Sequence, residues 1–429
     1  MCLFIIMQAC GFVSKDLSIT PLNKKKVDSE NQRIEYSNYW QAIQNLAFSH
    51  LKQDTLTKDQ ENFANGVKLI LNADYSGAGQ IFNELLHESR DLQIKKYSYE
   101  LLVNVLFLQS DWQSLMELYR FSQNGENKTG SRELFSSFAS LEPEIYLYPV
   151  DPVVIPIEIS TAGIPVIEVK INGKKKKFWI DTGTSITTIA TAVAKDCGVE
   201  ELGVKVTKAE TGTGASIPIS PAVIEKLEIG ELLIKNHPTI IINRKDMRFK
   251  VSRPARTISI DGLIGWNALN KMKIEIDYRN KHAIIKKPEY KDNIERNFFW
   301  LGNPIIKVQT PQGLPLLFGL DTGAIRTFIT ENILWKIKPA SIRGQRSKIL
   351  SIGGYNKILS KIIPDLTLIL NNYQLYFQNI GTRPVNRSLF ISIDGVFGSD
   401  VGQDGKIVID SMNGIIQFEY DRLVAQPRK

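Results

Sequence analysis

PVIEVKINGKKKKFWIDTG, residues 165–183, recurs as PIIKVQTPQGLPLLFGLDTG, residues 304–323, with one residue inserted. Each copy runs an apolar strand straight into an acid, Asp181 in the first and Asp321 in the second. A carboxylate at the end of a buried strand is costly unless it is hydrogen-bonded or charge-compensated, so it caps a turn or does chemistry. The likeness continues downstream. ISIDGLIG (258–265) matches ISIDGVFG (391–398), and KIEIDYRNKHAII (273–285) matches KIVIDSMNGIIQF (406–418). Asp181 and Asp321 lie 140 residues apart, Asp261 and Asp394 lie 133 apart, and a duplicated β unit is the simplest account.

Three pairs of acids therefore repeat. Asp277 and Asp410 precede the turn-forming YRNK and SMNG, which favours side-chain caps of turns. Asp261 and Asp394 precede a glycine, where a structural turn is again the simpler role. Only Asp181 and Asp321 carry Thr-Gly behind them and a continuous apolar strand before them. Gly183 and Gly323 let the backbone turn tightly and bring an N–H to the carboxylate. Thr182 and Thr322 can hydrogen-bond across to the opposite strand and lock the loops. Thr184 offers Asp181 one more hydroxyl. Two such loops facing each other would hold carboxyl groups that cannot both ionise freely and so share a proton. One can then draw a proton from a water while the other donates to a carbonyl oxygen.

Those residues resemble the retropepsin-like aspartic peptidases, with pepsin-like members as the single-chain case, over roughly residues 150–422. The resemblance implies a multidomain chain with a mainly β, bilobal aspartic-protease fold whose two halves lie in tandem, so one chain forms one site. It implies that LIG (263–265) and VFG (396–398) thread beside the two Asp-Thr-Gly loops. It also implies flaps, by position TGTGAS with Gly212, Thr213 and Gly214, and SIGGYN with Gly353, Gly354 and Tyr355. The expected activity is hydrolysis of an extended polypeptide without a cofactor or metal. The second loop departs from the pattern at Ile325 and Arg326. If Arg326 reached the dyad it would favour ionisation of both acids.

Composition fits a soluble globular chain of two or three domains: 429 residues, 43% apolar and 23% charged. The net charge of +8 concentrates at Lys24–Lys26 and Lys174–Lys177, the latter following Asn172-Gly173, and a solvated hairpin tip explains it better than a nucleic-acid partner. Cys2, Cys10 and Cys197 cannot form a disulfide framework, and histidines at 50, 87, 237 and 282 show no metal-ligand spacing. Cys197 reads as a buried thiol on a short helix.

Of 18 prolines only Pro21 precedes residue 143, and apolar residues recur at helical spacing over 30–121, with Asp74 and Asp111 as N-caps. This predicts a tetratricopeptide-like α-helical domain able to recruit a protein partner. A polar linker (122–150) and two β lobes (151–290 and 291–425) follow. Residues 1–16 resemble the end of a secretory leader with Ala9 before Cys10, which predicts an exported protein with a lipid anchor at Cys10. The competing reading is a cytoplasmic N-terminus. Two rival functions remain on the sequence: a catalytically inactive peptide-binding or assembly protein on the same scaffold, and a helical region serving as a removable pro-segment.

Overall fold

Apolar residues at three- and four-residue spacing build the helices Tyr39–Gln44, Lys58–Leu71, Tyr75–Glu88, Leu92–Gln109 and Trp112–Phe121. The computed structural model describes residues 4–5, 17–22, 34–121, 129–203, 207–251, 256–384 and 390–420. Thr57 and Gln60 form a capping box on the second helix. Asp74 accepts the Gly77 N–H at 2.9 Å and Asp111 the Ser114 N–H at 3.0 Å, as N-caps should. Phe63, Val67, Ile70, Phe82, Leu101 and Leu115 fill the space between the helices.

Residues 122–150 are not simply a linker. Thr129–Ala139 is a helix whose Leu134, Phe135 and Phe138 are buried, and Trp112 stacks on Phe135 with centroids 5.9 Å apart. Its polar, glycine-bearing first turn conceals an apolar face of only three residues. Ile145–Leu147 then pairs antiparallel with Leu233–Lys235. The helices are seated on the β region by rings: Phe107 stacks on Trp300 at 5.5 Å, and Phe63 and Tyr97 flank Phe390 at 5.4 and 5.1 Å. Main-chain bonds add to this, with the Ser392 N–H donating to Gln44 O at 2.9 Å.

The first β domain runs in the order Ser216–Ile229, Leu232–Ile242, Thr188–Ala190, Gly262–Ile264, Lys174–Ile180, Pro165–Ile171. Ser216–Ile229 bends back to pair with Pro165–Ile171 as well, so these six strands close on themselves as a barrel. Asn172 and Gly173 sit at φ 48° and 84°, the left-handed conformation a two-residue hairpin requires. Lys174 and Lys176 pair with Asp196, Lys175 with Glu168 and Lys177 with Glu158, so the lysine run is a solvated, ion-paired hairpin.

The second β domain repeats these connections. Pro315–Leu320 lies parallel to Gly395–Phe397, as Lys174–Ile180 lies parallel to Gly262–Ile264. The two domains are joined where Lys273–Asp277 pairs antiparallel with Lys406–Asp410, with Lys273 opposite Asp410 and Asp277 opposite Lys406. These are the equivalent strands of the two repeats, so their pairing maps onto itself by a half-turn, and a local twofold axis passes by Glu275 and Val408. Asp277 and Asp410 each hold the turn beyond them through Asn280 and Asn413.

The segment read as a leader contributes Phe4 and Ile5 to the first sheet, and the residues just after it join the second. Phe4 and Ile5 lie parallel to Glu210 and Thr211, and Leu17–Pro21 adds an edge strand to Tyr373–Gly381. Cys2 and Cys10, and with them the proposed anchor, lie outside the described residues. Among the described residues no helix is long and apolar enough to cross a membrane.

Candidate active site

Phe178, Trp179 and Ile180 are buried, and their strand delivers Asp181 to the floor between the domains. The LIG segment lies alongside, and the Asp181 N–H donates to Ile264 O at 3.1 Å. In the second repeat the Asp321 N–H donates to Phe397 O at 2.9 Å. Each of these segments ends in a glycine because nothing larger fits. A Cβ on Gly265 would lie 2.5 Å from the Ile186 backbone, and one on Gly398 would lie 2.6 Å from that of Arg326.

The two Asp-Thr-Gly loops are bonded to each other. The Thr182 N–H donates to Thr322 Oγ1 at 3.1 Å and the Thr322 N–H to Thr182 Oγ1 at 3.0 Å. The hydroxyls donate in turn to Leu320 O at 3.0 Å and Ile180 O at 2.8 Å. Gly183 and Gly323 each donate their N–H to the Oδ1 of their own loop's aspartate at 2.9 Å. A Cβ on Gly183 would lie 2.5 Å from Asp321 Cγ, and one on Gly323 2.6 Å from Asp181 Cγ, so each carboxyl rests against the other loop's glycine.

Asp181 is 0% and Asp321 1% exposed. Burial pushes the Asp181 carboxyl up to about 7, against the opposing pull of the Thr184 hydroxyl, the Gly183 N–H and a hydrogen bond from Asp321. A bond between two carboxyls requires one proton between them, so the pair titrates as a unit. The Thr184 hydroxyl donates to Asp181 Oδ2 at 2.9 Å, whereas its counterpart in the second repeat is Ala324, and the pair is thereby asymmetric. The charge of Arg326 bears on Asp400, whose carboxyl burial raises and Arg326 partly restrains.

Behind each loop stands a second tie that sequence reading missed. Asn267 Oδ1 accepts the Thr187 N–H at 2.8 Å and its hydroxyl at 3.1 Å. Asp400 accepts the Thr327 N–H at 2.9 Å and its hydroxyl at 2.7 Å. Asn267 and Asp400 both lie two residues beyond the apolar-apolar-Gly segment, so the aligned repeat carried the signal. The first domain adds His237, which bridges Thr187 Oγ1 at 2.7 Å and Glu144 and is itself fully buried. Burial raises the Glu144 carboxyl, but His237 and Lys271 outweigh it and hold it below its usual range.

Asp394 is more than a turn residue. It is buried, accepts the Leu317 N–H at 2.9 Å and the Asn332 amide at 2.8 Å, and takes Lys336 Nζ at 2.8 Å. Asp261 keeps only the main-chain part of this role, accepting the Lys177 N–H at 3.3 Å among its described bonds. Cys197 closes the helix Thr191–Cys197 and is buried, which raises its thiol. Glu275, Asp277 and His282 form a His and carboxylate cluster on the joining sheet, but Glu275 is engaged by Lys406 and Asp277 by Asn280.

Both glycine-rich segments sit at hairpin tips. Thr207–Thr211 and Ser216–Ile229 flank the first, with Gly212, Thr213 and Gly214 in the turn; Arg343–Ser351 and Gly354–Leu370 flank the second. The tips meet: the Gly212 N–H donates to Ser351 Oγ at 3.1 Å, and a Cβ on Gly353 would lie 2.7 Å from Ile217. Gly214, Gly353 and Gly354 have φ of 78°, 81° and 132°, which glycine alone adopts readily. Tyr355 is exposed, with Lys348 Nζ 3.9 Å above its ring.

Residues 167–268 match the family described as Aspartyl protease, a span that includes Asp181 and stops short of Asp321. The chain is also similar to the crystal structure of a retropepsin-like aspartic protease from Rickettsia conorii, at 22% identity over 32% of this chain and 98% of that chain. The TM-score of that comparison is 0.23. No curated protein is significantly similar to the chain. The first β domain is thus the part of the molecule that holds an aspartyl protease family domain, preceded by a helical region and followed by a further β-sheet domain.

Proposed function

We propose that the protein is an aspartic endopeptidase whose dyad is Asp181 and Asp321, contributed by two lobes of one chain. The observation that carries this reading is the reciprocal bonding of Thr182 and Thr322, which sets each buried carboxyl against the glycine of the other loop. The Thr184 hydroxyl sets Asp181 apart from Asp321. With one proton on the pair, one carboxylate draws the proton from an attacking water while the other carboxylic acid donates to the carbonyl oxygen of the scissile amide. Burial keeps one proton on the pair through mildly acidic pH, which is what the two roles require. No covalent intermediate is needed.

The two hairpin tips, which meet each other, act as flaps, and the substrate is an extended polypeptide added to their edges. Phe4 and Ile5 support this, because their pairing with Glu210 and Thr211 demonstrates that the first hairpin accepts a parallel strand. Cleavage of a diverse peptide library from pH 3 to 8, comparing the parent with Asp181→Asn and Asp321→Asn, tests the reading. Hydrolysis lost in both variants is expected; hydrolysis that survives either one overturns it.

Burial of both carboxyls, together with tips bonded to each other, also favours a second reading, a peptide-binding protein without turnover. Tight binding of a statine-containing peptide would separate the two, because it depends on a proton-sharing dyad. We further propose that the groove of about 1370 Å³ along the helices, lined by Gly79, Asn83, Leu86 and Tyr99, recruits a protein partner. Export with an anchor at Cys10 is proposed on the sequence alone, and mass measurement of the membrane-extracted protein tests it.

A further inference from the structure

We propose that the groove between the second flap hairpin and the loop after Asp321 binds acidic side chains, so that the preferred substrate is an extended polypeptide carrying Asp or Glu on one side of the scissile bond. This inference rests on the peptidase reading above for its scissile bond, and on the groove alone for its charge.

The groove measures about 600 Å³. Ile325 and Arg326, which follow the second Asp-Thr-Gly-Ala, form one wall, and the outer flap strand Arg343–Ser351 forms another. Five cations line it: Arg326, Arg343, Arg346, Lys348 and Arg383. Among the described lining residues two are acids, Asp400 and Asp404, and Asp400 accepts both the N–H and the hydroxyl of Thr327. Arg343 is aimed rather than loose, since it donates to Asn379 Oδ1 at 2.9 Å. Arginine presents a planar fork of donors that matches a carboxylate in two bonds, so the wall suits acids better than neutral amides.

The main chain points to the same occupant. Arg343–Ser351 pairs on one side with Gly354–Leu370, and its other edge carries no strand among the described residues. A polypeptide laid on that edge would be held by main-chain hydrogen bonds, with side chains of one face set beside Arg343 and those of the other beside Arg346 and Lys348. The matching strand of the first flap, Thr207–Thr211, carries one lysine and one glutamate, and its edge is taken by Phe4 and Ile5. The charge is therefore one-sided, and so is the predicted preference.

The test uses the full chain and fluorescein-labelled decapeptides of one apolar core, with three Glu on the amino side, three on the carboxyl side, or Gln throughout. Binding is read by anisotropy on Asp321→Asn, and kcat/KM on the parent. One of the two Glu peptides should bind about tenfold tighter than the Gln peptide, the sum of two or three half-exposed ion pairs. The advantage should shrink in high salt. Arg343→Glu with Arg346→Glu should abolish it, and Arg343→Gln with Arg346→Gln should reduce it without reversing charge. Equal binding of Glu and Gln peptides, binding of neither, or selectivity that survives both double variants overturns the proposal and leaves the cations as guards against edge-to-edge association. Selective binding without turnover of any peptide would retire the peptidase reading and keep the acidic groove, whereas turnover without acid preference would do the reverse.

Discussion

Thr182 and Thr322 each accept the other's backbone N–H, at 3.0 and 3.1 Å, and each donates its hydroxyl to a carbonyl at the foot of the other's loop. All four bonds are buried and join the two β domains at the point where the two carboxyls meet. Thr182→Val keeps the shape but orphans the Thr322 N–H and Leu320 O, so it should cost about 2–4 kcal/mol. The double variant Thr182→Val with Thr322→Val should cost clearly less than the sum of the singles. Urea unfolding of the four proteins measures this, and strict additivity would mean that the bonds do not act as one unit.

The proton on the carboxyl pair links stability to pH. Burial raises Asp181 to about 7 in the folded state, above the roughly 3.9 of an unfolded aspartate. A group with a raised folded value stabilises fully below the unfolded value, and that contribution is lost as pH rises through the folded one. Asp181→Asn removes the charge that must be buried at higher pH. The variant should melt at a higher temperature than the parent above about pH 7, with the difference closing toward pH 4. Thermal melts across that range check it, and a constant offset at every pH would contradict the assignment.

Thr184 distinguishes the two aspartates, because Ala324 stands in its place in the second repeat. Thr184→Ala withdraws a donor from the Asp181 anion, worth roughly 1–2 kcal/mol, or about one pH unit. The acidic limb of the rate profile for peptide cleavage should move upward by that amount. An unmoved limb with a lowered plateau would instead show that the hydroxyl positions the loop without tuning the acid.

Lys336 and Asp394 form a buried ion pair at 2.8 Å. Burial lowers the lysine and raises the aspartate, and each partner pulls the other back toward its charged form. Lys336→Met leaves Asp394 buried without its counter-charge and should cost about 3–5 kcal/mol at pH 7. The loss should diminish at acid pH, where Asp394 takes up a proton, and Lys336→Met with Asp394→Asn should recover much of it at neutral pH. Denaturant midpoints at two pH values measure both effects.

How much of this was legible before folding depends on how local each signal is. The helices announced themselves because burying one face imposes a three-to-four residue rhythm, and Asp74 and Asp111 sit where the first turn needs an acceptor. The helix Thr129–Ala139 escaped because its apolar face has only three residues behind a polar first turn. The aspartate loops were legible because duplication wrote the same strand, acid, threonine and glycine twice, and chance seldom repeats an ordered motif.

The sequence by itself determined which two carboxyls could form a pair, which threonines and glycines would brace them, and which segments of the two halves are equivalent. Tertiary structure alone decided that the charge of Arg326 bears on Asp400, that Lys336 neutralises Asp394, that His237 and Glu144 meet behind Thr187, and that Phe4 and Ile5 lie along the first flap. The reason is the length of chain between partners. A turn or an amphipathic face is encoded within a few residues, whereas a buried charge finds its counter-ion wherever the packed core brings one, and spacing along the chain carries no record of that distance.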